Sequence, residues 1–196
     1  YNGHMMEVGP LARLVLSVAK DVKHFKEPAL DLLKELNLPL KAIYSTLGRH
    51  AARALECRWT ANQMVKYVDD LTANIKLGDE VAANMEFWDP KTWPKECRGV
   101  GICEAPRGAL GHWCVIKDTR IENWQAIVPT TWNASPRSNE GQQSAFETSL
   151  LGTPVADPHK PLEIIRTIHS FDPCLACATH VLNPEGEELC CKEAIY

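Results

Sequence analysis

Long apolar runs are missing from this 196-residue chain, and none approaches the roughly 18 consecutive apolar residues that a membrane-crossing helix needs. The first residues, Tyr1-Asn2-Gly3-His4-Met5-Met6, lack the basic-then-apolar pattern of a secretory signal. They resemble the middle of a loop, so the chain is expected to start at a cut, and export or membrane attachment is expected to come from a partner. Runs of one charge sign are missing too. Twenty-one basic residues stand against 25 acidic ones, a formal net charge of -4 spread without blocks, which excludes nucleic acid as the expected partner. No internal repeat and no low-complexity segment is present. The eight cysteines, at 57, 97, 103, 114, 174, 177, 190 and 191, are too few and too scattered to staple a small disulfide fold at this length. Metal or redox use of a subset is expected instead.

What is present is the composition of a globular chain, 45% apolar and 23% charged, long enough for one ordinary domain or for part of a larger one. Leu11, Leu14, Val15, Val18, Val22 and Phe25 recur at three and four and predict an amphipathic helix, which Pro28 restarts through Leu32, Leu33 and Leu36. Pro39 opens a longer periodic run through Ile75, stopped by Gly78, that would span about 50 Å at 1.5 Å per residue. Gly48 within it marks a weak point or a close helix contact. Prolines, tryptophans and glycines over 89–111 predict irregular structure. Strands are expected at 113–116 and 121–128 around Lys117-Asp118-Thr119-Arg120, hence a hairpin, followed by a hydroxyl-rich loop over 128–137. Helices over 141–151 and from Leu162 towards Phe171 complete a fold that is expected to be mainly α: a long-helix bundle with a small β-hairpin and irregular metal-site loops.

The stretch with the most chemistry is Asp172-Pro173-Cys174-Leu175-Ala176-Cys177-Ala178-Thr179-His180. Asp172 and Pro173 read as the N-cap and first position of a helix, which places both cysteines in its first turn, where the dipole favours thiolate. Two thiols three residues apart leave open a metal half-site, with His180 as a further nitrogen ligand, a thiol–disulfide pair, or an inert buried pair. Upstream, small residues surround one arginine in Glu104-Ala105-Pro106-Arg107-Gly108-Ala109-Leu110-Gly111-His112-Trp113. They would let Arg107 approach a buried ligand, although composition alone favours a surface turn whose arginine makes a salt bridge.

Together these stretches resemble the large subunit of nickel-iron hydrogenases, and the respiratory, membrane-associated uptake enzymes most of all. The 172–180 signature is joined in matching order by Gly3 to Arg13, 104–113, 128–137 and 161–172, so the likeness covers essentially the whole chain. It implies that residues 1–180 are the C-terminal portion of a larger α+β large subunit and that 181–196 are a maturation peptide removed by an endopeptidase. It further implies Cys174 as a terminal nickel ligand and Cys177 as a bridge to an iron carrying carbon monoxide and cyanide. Arg107 would lie over the open face of the cluster, with Asp172 orienting it and Pro106 and Thr130 shaping the pocket around the cyanides. His180 and the backbone carbonyl of Ala126 would hold a magnesium or similar ion. The implied reaction splits dihydrogen into a proton and a hydride, with Cys174 and Arg107 as candidate bases.

The implied partners are the missing N-terminal half of the subunit, a small iron-sulfur subunit, the maturation endopeptidase and a membrane cytochrome b. The implied location is periplasmic, peripheral to the cytoplasmic membrane. One departure stands out: the family's N-terminal Cys-x-x-Cys, with the other two nickel ligands, is absent together with its nearby proton-relaying glutamate, and Cys57, Cys97, Cys103 and Cys114 lie at no matching spacing. His4, His112 and His169 have no support from the resemblance, and the last two read as structural. Two rival readings are a zinc-binding interaction module, with Cys190 and Cys191 completing the site, and a thiol–disulfide oxidoreductase.

Overall fold

The first amphipathic stripe folds as two helices that divide earlier than Pro28. In this computed structural model, helix α1 spans Pro10–Ala19, with Pro10 at the start, where its missing N–H has no intrahelical partner to lose. The chain then breaks at Asp21, whose φ of 58° places it in the left-handed region that aspartate tolerates better than most residues. Helix α2, Lys23–Glu35, runs through Pro28. The expectation that Pro28 restarts the helix is therefore corrected. A proline inside a helix removes one hydrogen bond, and packing against the neighbouring helices tolerates it here.

The structure describes residues 1–79, 81, 83, 85, 86, 88–173, 178–182 and 185–193, and only the backbone of 178–182 and 188–193. Pro39 opens a short 3-10 turn, Leu40–Ile43, rather than the long helix. Helix α3, Thr46–Lys76, starts later because the Ser45 hydroxyl accepts the Gly48 N–H at 3.0 Å and caps it. Its 31 residues span about 46 Å. Leu11 and Leu14 from α1, Ala29 from α2, Ile43 and Ala52 form the buried core, flanked by Val15, Phe25 and Leu55. Each large aliphatic buried there contributes about 1.5–3 kcal/mol. Gly48 is a point of close contact, but with the 3-10 turn: a β-carbon there would overlap the Ile43 carbonyl. Beyond Thr60 the helix stands largely clear of the chain, and its stripe of Met64, Val68, Leu71 and Ile75 is 53–61% exposed.

The expected two-stranded hairpin is the second half of a three-stranded antiparallel sheet, β1 (Glu96–Ala105), β2 (Gly108–Lys117) and β3 (Arg120–Ile127), in that order. Asp118 and Thr119 turn β2 into β3 with φ of 48° and 65°, the left-handed pair that suits the twist of a tight hairpin. The region expected to be irregular contains β1, paired with β2 from Glu96↔Lys117 to Ala105↔Gly108. The hydroxyl-rich loop instead contains the short helix α4 (Pro129–Ala134). Helix α5 (Ala145–Leu150) is shorter than expected because a reciprocal Ser144–Glu147 capping box fixes its start. Helix α6 (Leu162–His169) leads to Phe171, which is 4% exposed and lies 4.7 Å from the Phe146 ring. With this sheet beside six α-helices among the described residues, the architecture is mixed α/β rather than mainly α.

Asp172 is not a helix N-cap. Its N–H bonds back to the His169 carbonyl at 2.9 Å and its φ is 51°, so it terminates α6 instead of opening a new helix. The expected first turn, 174–177, lies outside the described residues. The backbone resumes as β4 (Ala178–Leu182), paired antiparallel with β5 (Glu188–Glu193), so the tail finds a backbone partner and the expected division at 180/181 falls inside a strand pair.

The chain exposes 14341 Å², against roughly 9,300 Å² for a compact monomer of its 21.9 kDa mass. Gly48→Ala is expected to cost about 2 kcal/mol or more, because the clash is with backbone that cannot rotate away. A denaturant midpoint equal to the parent's would refute the close packing at this turn.

Candidate functional site

The site is built on the turn Pro106-Arg107 between β1 and β2, and Arg13 on α1 holds that turn in place. Arg13 Nε and Nη2 reach Glu56 of α3 at 2.6 and 2.7 Å, Nη1 reaches Glu104 at 2.8 Å and the Ala105 carbonyl at 3.0 Å, and Nη2 also donates to the Pro106 carbonyl at 2.9 Å. Burial opposes the charge on Arg13, but hydrogen bonds to Glu56 and Glu104 outweigh it and raise its pKa. Gly108, with φ 134°, lets the turn press against the N-terminal segment. A β-carbon there would come within 2.6 Å of Val8 Cγ2, and one on Gly9 within 2.8 Å of the Arg107 carbonyl. Val8 is fixed in turn by Asn133 of α4, which accepts its N–H and donates to its carbonyl, both at 2.9 Å. Asn133 is 2% exposed, a buried amide pairing with backbone as a strand would.

Arg107 then meets Asp172 across 65 residues of sequence. Its Nε donates to the Asp172 carbonyl at 2.7 Å and its Nη2 to Oδ1 at 3.2 Å. The pairing that orients the arginine is thus present, and both side chains are about 40% exposed. Among the described residues Nη1 takes no partner. Behind the pair, Arg53 Nη2 donates to the Ser170 carbonyl at 2.9 Å, and the Arg49 guanidinium lies 3.8 Å over the Phe171 ring while forking onto Glu7 at 2.8 and 2.9 Å. A cavity of about 710 Å³ opens beside the turn, with Arg13, Arg53, Glu56, Trp59, Pro106 and Asp172 in its wall. Arg53 Nε is buried there with no hydrogen-bond partner among the described residues.

The structure brings Arg107, Pro106 and Asp172 together. Thr130 lies in the first turn of α4, which packs on β2. Ala126 lies on β3 opposite His112, whose ring meets Trp124 edge-on at 5.0 Å. His180 pairs with Cys191 in the β4–β5 register, and its side chain lies outside the described residues, as do Cys174 and Cys177. Among the described residues no group of three or more His, Cys, Asp or Glu could hold a metal ion. Sequence reasoning missed Glu7, Arg49, Arg53, Glu56 and Asn133. A usable signal existed in Arg49, Arg53 and Glu56, charged groups at helical spacing beside the buried Ala52 on a face that turns inward.

A family model described as nickel-dependent hydrogenase matches residues 1–180. The chain is 59% identical over 189 residues to the uptake hydrogenase large subunit of Bradyrhizobium diazoefficiens and 52% identical over 189 residues to the hydrogenase-1 large chain of Escherichia coli. Each match covers 96% of this chain and 32% of the relative, so the chain spans about a third of the length of the curated relatives it matches. Among solved structures, the reduced Ni-Fe-Se hydrogenase of D. vulgaris Hildenborough superposes with a TM-score of 0.68 at 32% identity, over 89% of this chain and 35% of that one. These matches lend nothing to the zinc-module or thiol-redox readings.

Because the pKa of Arg13 is raised on folding, its stabilisation is complete below the unfolded value and is lost only as pH climbs through the higher folded one. Arg13→Met is therefore expected to cost about 2–3 kcal/mol, equally at pH 7 and pH 9. Denaturant unfolding at the two pH values checks this, and a cost that shrinks by pH 9 would contradict the assignment.

Proposed function

The chain belongs to the nickel-dependent hydrogenase family, and on that premise we propose that it is the C-terminal part of a respiratory uptake hydrogenase large subunit, contributing half of the site that cleaves or forms dihydrogen. The observation that carries this reading is the Arg107–Asp172 fork, which joins the two signature stretches immediately before Cys174. The donor set fits the implied group. Two thiolates from one Cys-x-x-Cys are soft ligands that select a late transition metal, and the Nη1 donors of Arg107, which no described residue takes up, suit an anionic neighbour. Cys174 and Cys177 would be the two ligands that this chain supplies to the nickel-iron centre.

When bound, the nickel-iron centre, with carbon monoxide and cyanide on its iron, supplies a soft electron-rich position at which dihydrogen is polarised. The chain's own residues do the rest. Asp172 fixes the guanidinium plane through two acceptors, its carbonyl and Oδ1, so that Arg107 presents donors without reorganising, as electrostatic catalysis requires. A thiolate can take up a proton whereas a guanidinium stabilises developing charge, and we assign the proton to Cys174 Sγ and the electrostatic part to Arg107. Pro106, rigid and next to the arginine, and Thr130 would shape the pocket around the diatomic ligands and restrict water.

His180 and the Ala126 carbonyl would hold a magnesium or similar ion, completed by groups from the rest of the subunit. Residues 181–196 would leave through a maturation endopeptidase, which takes away β5 and the end of β4. A small iron-sulfur subunit would accept the electrons and a membrane cytochrome b would receive them. Among the described residues no helix is long and apolar enough to cross a membrane, and we assign periplasmic membrane attachment to these partners. The large exposed surface fits a segment completed by the preceding two thirds of the subunit.

In the assembled enzyme, Cys174→Ser or Cys177→Ser is expected to abolish nickel retention, and full nickel occupancy by elemental analysis would remove the ligand assignment. Arg107→Lys should keep the metals yet lose turnover by about 100-fold, because lysine keeps the charge but not the planar fork. Unchanged dihydrogen oxidation would take Arg107 out of the mechanism.

A further inference from the structure

We propose that Arg49 is a positioning residue for the Arg107–Asp172 pair, acting through Phe171. The inference rests on the hydrogenase reading and extends it to a side chain behind the Arg107–Asp172 pair. Arg49 is 9% exposed, with its Nε and Nη2 locked in a two-point fork by Glu7, and its guanidinium covers the Phe171 ring at 3.8 Å. The opposite arrangement, a buried arginine with no carboxylate, would be far too costly, so the Glu7 fork is what keeps the cation against the ring. One helical turn further along α3, Arg53 Nη2 holds the Ser170 carbonyl at 2.9 Å. Ser170 is 0% exposed, and its hydroxyl closes onto the Thr167 carbonyl at 2.6 Å.

Two consecutive residues before Asp172 are therefore each gripped by α3. That grip matters because Asp172 itself sits at φ 51°, a left-handed conformation that aspartate tolerates at some cost and that its surroundings help to hold. Both acceptors that Asp172 offers to Arg107, its carbonyl and Oδ1, move if this dihedral relaxes. Removal of the planar group over Phe171 leaves the ring braced on its Phe146 side alone and gives Asp172 room to leave the left-handed region. Arg49 thus sets the direction of the Arg107 fork without touching it.

A role confined to folding would change yield and nothing else, so the test reads the site per nickel. In the intact large- and small-subunit complex, Arg49→Lys keeps an ion pair with Glu7 but loses the flat face over Phe171. Nickel content is expected to be unchanged, turnover per nickel to fall about tenfold, and the nickel EPR spectrum to shift. The double variant R49K/R107K is expected within about twofold of Arg107→Lys alone, because residues acting through one another do not multiply their effects. Where Arg49→Lys gives no folded complex, Glu7→Gln keeps the shape and removes the charge that aligns Arg49, with about a threefold fall expected in the same measurements. Parental turnover and EPR in the folded variant, or effects of R49K and R107K that multiply, would overturn the positioning role while leaving the functional reading intact. Full turnover in Arg107→Lys itself overturns both.

Discussion

The arrangement depends on one guanidinium. Arg13 engages all five of its N–H donors, two with Glu56 on the long helix, one with Glu104 at the end of the first strand, and two with the carbonyls of Ala105 and Pro106. A planar fork is the only side-chain geometry that can meet a carboxylate edge-on and still point donors at a turn. Through it the first helix, the third helix and the sheet share one reference point. The apolar core includes no residue of the sheet or of the turn, so hydrophobic packing alone would not place Arg107.

From that point the site assembles in two directions. The turn is pressed from the N-terminal side by Val8 and Gly9, themselves fixed by Asn133, and is met from the C-terminal side by Asp172. Every one of these constraints is polar or steric, and all but the Arg107 Nη2–Asp172 Oδ1 contact act on backbone. A carbonyl held by a partly buried arginine cannot drift without giving up a charge-assisted hydrogen bond, which is a steeper restraint than the contact between two methyl groups. The segment delivering the cysteine motif is accordingly held by Arg49, Arg53 and Arg107 at three successive residues.

Much of this was legible before any coordinates. The periodic stripes gave α1, α2 and α3 because long amphipathic patterns carry the strongest local signal. The pairing of Arg107 with Asp172 followed from the resemblance, since neither residue announces the other at a distance of 65 positions. The first strand was hidden because Gly99 and Gly101 interrupt it and eight of its ten residues are exposed, which leaves no inward alternation to detect. The left-handed Asp172 was misread as a cap because Asp-Pro is a common helix opening, whereas here aspartate closes the preceding helix. The inward charges of α3 escaped notice because arginine and glutamate at helical spacing look like a solvated face until their partners, far away in sequence, are known.

The long helix has a further consequence. Its first half is pinned by the core and by Arg49, Arg53 and Glu56, while from Ala61 onward it is bounded mainly by its own backbone hydrogen bonds. Helix formation without tertiary support is marginal in water, so the two halves of one continuous element have different opening free energies. Amide protons in the pinned half should therefore exchange only through a larger opening of the chain, and those beyond Thr60 through fraying from the Lys76 end. A single regular helix is thereby two kinetic segments, and the boundary between them is the edge of what this stretch of polypeptide can hold rigid by itself.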